Sequence, residues 1–171
     1  MKILVLGGAA SGKSELAENM IIARGGAPVR YYIATMTPFD EEGRARVEKH
    51  RAARRERGFI TIERYTDIGS LDFPDGARGD ALLEDIGNLV ANEMFGESEK
   101  STAAAIADDI ISLAERCECF IAVTNDIARD GVKYAAETME YIRVIGEVNC
   151  RLAARFDEVY EALAGLPIRI K

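Results

Sequence analysis

The sequence predicts a single α/β domain in which a mostly parallel sheet is covered by helices on both faces and ends in a carboxyl-terminal hairpin. Three observations lead to this prediction. Short apolar or β-branched runs alternate with segments of helical spacing along most of the chain. The chain has 171 residues, 48% of them hydrophobic, which is enough for one well-buried core. It contains no internal repeat, low-complexity tract or linker, so we expect residues 1–171 to form one domain.

The predicted elements alternate in order along the chain. Strands are predicted at residues 3–6, 29–34, 59–63, 81–84 and 119–124, with a closing hairpin at 158–163 and 168–170. Helices are predicted from about residue 13, and at 40–57, 88–95, 102–116 and 137–155. Acidic residues at 40–42 favour the start of the second helix, and Gly58 is typical of its end. Strands separated by helices in this way indicate parallel pairing.

A phosphate loop follows the first strand. The segment satisfies the pattern G-x-x-x-x-G-K-[ST] and consists of Gly7, Gly8, Ala9, Ala10, Ser11, Gly12, Lys13 and Ser14. Its backbone N–H groups can turn toward a phosphate chain, Lys13 is expected to reach the β- and γ-phosphates, and the Ser14 hydroxyl is expected to bind Mg²⁺. An ordinary glycine-rich turn is the alternative, but the complete motif between a strand and a helix favours a P-loop NTPase domain of the RecA-like kind.

Composition argues against several classes of partner. The net charge of −7 does not favour a nucleic-acid or membrane surface as the main partner. No apolar run approaches the length of a membrane span, and the amino terminus does not resemble a secretory signal. The three cysteines, Cys117, Cys119 and Cys150, form no C-x-x-C pair and leave an odd count. We therefore expect a reducing, cytoplasmic environment without a disulfide framework or zinc site.

The second predicted helix concentrates positive charge in an otherwise acidic chain. Between residues 43 and 57 it carries seven basic side chains against two acidic ones, together with His50, the only histidine. Helical spacing places Arg46 one turn before His50 and Arg54 one turn after it. Guanidinium groups match phosphate oxygens, so this face suits a phosphorylated ligand.

His50 has two interpretations at this point. Neighbouring cations favour a neutral imidazole, whose free lone pair can attack phosphorus and form a covalent intermediate. Charge runs, however, are usually exposed helix faces, and from spacing alone a solvated helix with an incidental histidine is favoured.

Polar side chains at two other strand ends are candidates for the same site. Glu84 and Asp85 follow the fourth strand, where P-loop enzymes place a carboxylate that holds Mg²⁺ or its water. Thr124, Asn125 and Asp126 follow the fifth strand and are expected to face the same crevice as Ser14 and Glu84. The sequence is equally compatible with a simpler interpretation of each. Glu84 can be an ordinary polar residue at a strand end, and Asn125 can cap the next turn.

Taken together, these segments resemble the adenosylcobinamide kinase / adenosylcobinamide-phosphate guanylyltransferase family over essentially the whole chain. The resemblance is carried by the phosphate loop, Tyr32-Ile33-Ala34-Thr35, Pro38 with Asp40-Glu41-Glu42, Arg46-Val47-Glu48-Lys49-His50-Arg51, Leu82-Leu83-Glu84, residues 88–95, Val123-Thr124-Asn125 and the tail from Gly146 to Lys171. The phosphate loop is generic, whereas the tyrosine-containing run and the His50 helix are particular to the family.

The resemblance implies a bifunctional transferase of cobalamin nucleotide-loop assembly. ATP or GTP would phosphorylate adenosylcobinamide, and GTP would then donate GMP to adenosylcobinamide phosphate through a guanylyl-histidine, at the position of His50. Mg²⁺ bound by Ser14 and Glu84, and triphosphate contacts from Arg46, Arg51 or Arg54, fit this chemistry. The resemblance also implies a homo-oligomer, most simply a trimer.

Two other functions remain compatible with the residues. One is a small-molecule P-loop kinase without guanylyl transfer, in which the His50 helix only binds substrate phosphate or covers the site. The other is a non-catalytic nucleotide-binding module, against which stands the complete set of Lys13, Ser14, Glu84 and His50.

Overall fold

The computed structural model describes residues 1–24, 26–37, 41–74, 78–96, 102–127, 131–132 and 134–171. In the second helix it describes the backbone throughout but not the side chains of residues 41–46, 49 and 50. Within these described parts, no helix combines the length and apolar character needed to cross a membrane.

Helices and strands alternate as the sequence predicts. The strands are β1 (Lys2–Gly7), β2 (Arg30–Ala34), β3 (Phe59–Glu63), β4 (Asp80–Glu84), β5 (Phe120–Asn125), β6 (Glu158–Leu163) and β7 (Leu166–Arg169). The helices are α1 (Lys13–Arg24), α2 (Glu41–Glu56), α3 (Ile86–Phe95), α4 (Ala103–Glu115) and α5 (Ala136–Arg155), with a short 3-10 turn at Ile68–Ser70.

All seven strands form one sheet in the order β3-β2-β4-β5-β1-β6-β7. Every neighbouring pair is parallel except the β6–β7 hairpin at one edge. The predicted fold class is therefore confirmed. Because parallel strands end at the same edge, Gly7 pairs beside Asn125 and Ala34 beside Glu84. This edge is where a ligand crevice is expected in such a sheet.

The two faces of the sheet bury separate apolar clusters. In β1, Leu4 packs toward α3, α4 and α5, whereas Ile3 and Val5 pack toward α1. Strands β2, β4 and β5 alternate in the same way, so Tyr32 and Leu82 lie on the α1 face. Burial on both faces explains why these strands are continuous apolar runs in the sequence.

Two element boundaries differ from the prediction by two residues. Helix α3 begins at Ile86 rather than residue 88 because Asp85 caps it, accepting a hydrogen bond from the Asn88 N–H at 2.7 Å. In the hairpin, Ala164 and Gly165 form the turn with positive φ angles, so β7 begins at Leu166 rather than residue 168. The predicted start of α2 at Asp40 lies outside the described residues.

Candidate active site

The phosphate loop is a tight turn between β1 and α1. Ala10 and Gly12 both have positive φ angles, 55° and 84°, which fold the backbone back toward the helix. Gly7 has no room for a side chain, since a Cβ there would lie 2.5 Å from Ser11 Oγ. Lys13 opens α1 and is 9% exposed, and its Nζ donates to the Gly8 carbonyl at 3.2 Å. The ammonium group is thus held over the loop, where a phosphate chain binds.

Ser14 and Glu84 form the polar centre of the site. The Ser14 hydroxyl donates a hydrogen bond to Glu84 Oε1, which joins the start of α1 to the end of β4. The second carboxylate oxygen, Glu84 Oε2, is buried and has no hydrogen-bond partner among the described residues. Burial raises the pKa of Glu84 to about 7, and the nearby Asp85 adds to the rise, while the Ser14 hydrogen bond, Arg54 and Lys13 oppose it.

These two side chains fit a bound Mg²⁺. Magnesium prefers hard oxygen ligands and usually takes only one or two carboxylates from the protein. A hydroxyl oxygen beside a buried carboxylate oxygen that has no partner within the described part of the chain is such a donor set. A cation here would also remove the cost of burying the ionised carboxylate.

A cavity of about 250 Å³ opens beside this pair, on the α1 face of the sheet. We call it the Ser14–Glu84 cavity. Its wall includes Tyr32, Val47 and Arg54, of which the last two come from α2. The Arg54 guanidinium lies 3.6 Å from the centroid of the Tyr32 ring, a cation–π contact. Tyr32 is buried, and this burial together with Glu84 raises the pKa of its hydroxyl.

Helix α2 is fixed to the body of the domain near its carboxyl end. Arg57, one residue after the helix, forms an ion pair with Glu18 of α1. Together with the Arg54–Tyr32 stack, this contact holds the helix against the cavity. His50 lies on α2 between the two cavity-lining residues, Val47 and Arg54. The side chains of His50 and Arg46 lie outside the described residues, so their predicted roles stay predictions.

The structure separates Arg51 from Arg54. Arg51 pairs with Glu48 at 3.2 Å and with Glu63 at 3.7 Å, and it lines a separate depression beside β3. Arg54 instead points into the Ser14–Glu84 cavity. Sequence reasoning offered no basis for preferring one over the other, because both lie within about one turn of His50.

Glu84 at the end of β4 and Asp85 directly after it both line the Ser14–Glu84 cavity, but they make different contacts. Glu84 contacts Ser14, whereas Asp85 caps α3 and accepts a hydrogen bond from Asn125 Nδ2 at 3.0 Å. Asp85 therefore acts as a link between strand ends. Asn125 contributes to the same link through its side-chain N–H.

One expectation for the end of β5 is wrong. Thr124, Asn125 and Asp126 were expected to face the same crevice as Ser14 and Glu84. Thr124 is fully buried, and Asn125 and Asp126 line a different cavity beside α5. The prediction used only the common edge of the sheet. It did not account for the opposite faces on which cavities at that edge can lie.

Sequence reasoning also assigned no role to Tyr32 and Val47. Tyr32 lies within a β-rich run, where an aromatic residue reads as an ordinary core position. The signal that was available is helical spacing on α2, since Val47 and Arg54 are seven residues apart and therefore share a face.

Comparison with known proteins gives a consistent result. The family model described as "Cobinamide kinase / cobinamide phosphate guanyltransferase" matches residues 3–170. The bifunctional adenosylcobalamin biosynthesis protein CobU of Salmonella typhimurium is 36% identical over 185 aligned positions, which cover all of both chains. CobU of Escherichia coli is 31% identical with the same coverage. CobP of Pseudomonas aeruginosa is 30% identical and is covered over 98% of its length.

Solved structures agree at the level of the fold. The flagellar accessory protein FlaH of Methanocaldococcus jannaschii superposes with a TM-score of 0.53 at 12% identity, covering 99% of this chain and 77% of that one. A prototypical ATPase from the type III secretion system of pathogenic bacteria gives a TM-score of 0.52 at 12% identity, covering 98% of this chain and 56% of that one. The chain thus has the RecA-like P-loop NTPase fold.

Proposed function

The chain belongs to the cobinamide kinase / cobinamide phosphate guanyltransferase family, and from that premise we propose that one domain, residues 1–171, carries out both reactions at the Ser14–Glu84 cavity. The observation that carries the proposal is that the phosphate-loop serine, the β4 carboxylate and two residues of the His50 helix line one cavity. We take adenosylcobinamide as the acceptor, because the relatives are named for adenosylcobalamin biosynthesis.

In the kinase reaction, a hydroxyl oxygen of the acceptor attacks the γ-phosphorus of ATP or GTP. The bond from that phosphorus to the β–γ bridging oxygen breaks, the nucleoside diphosphate leaves, and the hydroxyl proton is released. We propose that Lys13, whose Nζ lies beside the Gly8 carbonyl, and the loop N–H groups neutralise charge on the phosphate oxygens.

We propose that Ser14 and Glu84 hold the Mg²⁺ of the nucleotide. When bound, the ion supplies positive charge to the phosphate oxygens. Glu84 must be ionised for this role, and a pKa of about 7 means that the free protein carries it partly protonated at neutral pH. Cation binding then displaces the proton.

In the guanylyl-transfer reaction, we propose that an imidazole nitrogen of His50 attacks the α-phosphorus of GTP. Pyrophosphate leaves, and GMP remains bonded to the histidine. A phosphate oxygen of adenosylcobinamide phosphate then attacks the same phosphorus, the P–N bond breaks, and adenosylcobinamide-GDP forms with free His50. Of the two candidate arginines whose side chains the structure describes, we assign Arg54 to the triphosphate, since it lines the cavity while Arg51 pairs with Glu48 and Glu63.

The test separates the two reactions in one sample. Wild-type protein and His50→Ala are incubated with adenosylcobinamide, ATP, GTP and Mg²⁺, and the corrinoid products are separated and weighed by mass spectrometry. We expect wild type to form adenosylcobinamide-GDP and His50→Ala to stop at adenosylcobinamide phosphate. A wild type that stops at the phosphate indicates a kinase without guanylyl transfer. A wild type that makes neither product indicates a non-catalytic nucleotide-binding module.

We also propose that the protein assembles into a homo-oligomer, most simply a trimer, as the family resemblance implies. Strand β7 lies at the edge of the sheet and exposes Leu166 and Ile168 by 67% and 43%. Exposed apolar edge strands are unusual in a monomer. Light scattering on the purified protein tests this, and a monomer mass at micromolar concentration contradicts it.

A cytoplasmic location is proposed on the cysteine chemistry. Cys117, Cys119 and Cys150 are all free thiols in the structure, as suits a reducing compartment. Cell fractionation with an antibody against the protein tests the proposal, and recovery outside the cytoplasm contradicts it.

A further inference from the structure

A second cavity, of about 200 Å³, lies on the opposite face of the sheet from the Ser14–Glu84 cavity. We call it the Asn149 cavity. Leu6 of β1 lines it, and Leu6 projects toward the same face as Leu4, away from α1. The rest of the lining comes from the end of β5 and from α5, and it includes Asn125, Asp126, Ile142, Gly146 and Asn149.

This cavity borders the phosphate loop directly. Leu6 immediately precedes Gly7, the first residue of the loop. The Asp126 N–H donates to the Gly7 carbonyl at 3.1 Å, so the end of β5 is hydrogen-bonded to the loop. A group bound in the Asn149 cavity therefore lies beside the loop, on the other side of β1 from Ser14 and Glu84.

Two buried oxygen atoms on this side of the sheet have no hydrogen-bond partner among the described residues, and one of them belongs to the cavity lining. They are Oδ1 of Asn149, which lines the cavity, and Oγ1 of Thr124. Thr124 pairs in register with Leu6 and so lies on the same side of the sheet. A buried acceptor oxygen without a donor costs free energy unless a ligand supplies an N–H or O–H group.

The lining suits a neutral ligand. Leu6 and Ile142 are aliphatic, and Asn125 and Asn149 are uncharged amides. Asp126 is the charged side chain among the described lining residues, and a carboxylate suits a ligand that donates hydrogen bonds. A nucleotide triphosphate would find none of the cationic side chains that phosphates require among the lining residues that the structure describes. The volume is below the range of pockets that enclose a whole drug-sized ligand, so it fits a side arm rather than a macrocycle.

We propose that the Asn149 cavity receives the amide-linked aminopropanol arm of the cobinamide acceptor. This inference rests on the proposed function. The arm carries amide N–H and hydroxyl donors, which the two unpartnered oxygens lack within the described part of the chain. Phosphoryl transfer requires the attacking and leaving oxygens to lie on opposite sides of the phosphorus. Cavities on opposite faces of the sheet, one lined by Ser14 of the phosphate loop and the other by Leu6 just before it, offer this arrangement for a nucleotide and an acceptor.

Gly146 allows the cavity to be filled without disturbing the fold. A Cβ added at Gly146 would meet no atom within 4 Å, and the residue lies within α5, where a larger side chain favours the helix. Gly146→Leu is the test variant, and Asn149→Ala removes the unpartnered oxygen. Cys150→Leu is the matched control, because it places the same side chain on an exposed position of the same helix.

The experiment measures the dissociation constants of cobinamide, by equilibrium dialysis, and of ATP, by calorimetry, for each variant. We expect Gly146→Leu and Asn149→Ala to weaken cobinamide binding about tenfold or more, the effect of losing a buried polar contact. ATP binding should stay within about twofold of wild type. Cys150→Leu should resemble wild type for both ligands.

Each other result overturns the inference. If both test variants bind cobinamide as wild type does, the acceptor arm lies elsewhere. If they weaken ATP instead, the cavity belongs to the nucleotide. Thermal melting identifies a misfolded variant, and Gly146→Ala then replaces Gly146→Leu. A separate kinase assay tests the proposed function: wild-type protein that phosphorylates cobinamide keeps it intact in all these cases, whereas wild-type protein that neither binds nor phosphorylates cobinamide contradicts the proposed function itself.

Discussion

The Ser14–Glu84 cavity and the Asn149 cavity both lie beside the phosphate loop but differ in chemistry. The first is lined by ionisable groups, among them Glu18, Arg54, Glu63 and Glu84. The second is mostly aliphatic and amide, with Asp126 as its charged residue among those that the structure describes. The first lies on the α1 face of the sheet and the second on the face covered by α3, α4 and α5.

This difference shows how one small domain can handle two unlike substrates. Phosphate groups need fixed positive charge, and the ligands that we propose for Mg²⁺ lie where α1 begins and β4 ends. A neutral acceptor needs shape and donor–acceptor matching instead. The sheet keeps the two environments apart, and we propose that both substrates reach a common phosphorus atom at the phosphate loop.

Lys13→Ala gives the largest effect expected on the nucleotide side. Loss of the ammonium group removes charge stabilisation at the β- and γ-phosphates, so we expect the kinase kcat to fall about 100- to 1,000-fold. Cobinamide affinity should not change, since Lys13 does not line the Asn149 cavity. Steady-state kinetics with purified protein and Lys2→Ala as the control measure both. A kcat near wild type contradicts the phosphate-loop assignment.

The Mg²⁺ requirement should depend on pH through Glu84. Because the pKa of Glu84 is raised to about 7, the carboxylate is largely protonated at pH 6 and largely ionised at pH 8. We expect the Mg²⁺ concentration for half-maximal kinase activity to fall about tenfold between these values, at saturating nucleotide. In Glu84→Gln this dependence should disappear. A requirement for Mg²⁺ that is the same at both pH values contradicts the metal assignment.

Arg54 and Arg55 are adjacent on α2 and differ only in where they point. Arg54 stacks on Tyr32 inside the cavity, whereas Arg55 is exposed. Arg54→Ala should raise the KM for GTP about fivefold to tenfold through loss of one charge and the cation–π contact. Arg54→Lys should recover part of this, and Arg55→Ala should match wild type. Equal effects at the two positions would show that only the net charge of α2 matters.

The last expected effect is on stability and does not involve substrate. Glu84 has a raised pKa in the folded protein, so its contribution to the free energy of unfolding is present below its unfolded pKa and is lost as pH rises through about 7. Glu84→Gln removes this loss, and we expect the variant to be more stable than wild type by about 1–3 kcal/mol at pH 8 without Mg²⁺. At pH 4 the two should coincide. Urea unfolding in EDTA at both pH values measures the difference, and a less stable variant at pH 8 contradicts the burial argument.

Much of the fold could be predicted because its signals are local. Continuous apolar strands, the phosphate loop and Gly58 after α2 each specify structure within a few residues. The hairpin turn was predicted less well, since Leu166 and Pro167 read as a turn while the positive φ angles fall on Ala164 and Gly165. Small differences in turn geometry are decided by how strand β6 pairs, which the local sequence does not express.

The candidate site likewise contains residues that local sequence patterns identify and residues that they do not. Ser14 and Glu84 were predicted because each belongs to a pattern with a fixed position relative to a strand end. The Asn149 cavity joins Leu6 to the end of β5 and the middle of α5, which lie far from Leu6 along the chain. No local pattern marks such a cavity, and the choice between Arg51 and Arg54 likewise depended on the neighbouring position of Glu63 in β3.

The most direct test of the bifunctional chemistry follows the α-phosphate of GTP. Protein is incubated with GTP labelled at that phosphate and Mg²⁺ in the absence of acceptor, then denatured, digested and mapped. We predict an acid-labile, base-stable label on the peptide that contains His50, its absence in His50→Ala, and its release when adenosylcobinamide phosphate is added. A wild-type protein that makes adenosylcobinamide-GDP without ever carrying this label, or that carries it on another residue, would contradict guanylyl transfer through His50.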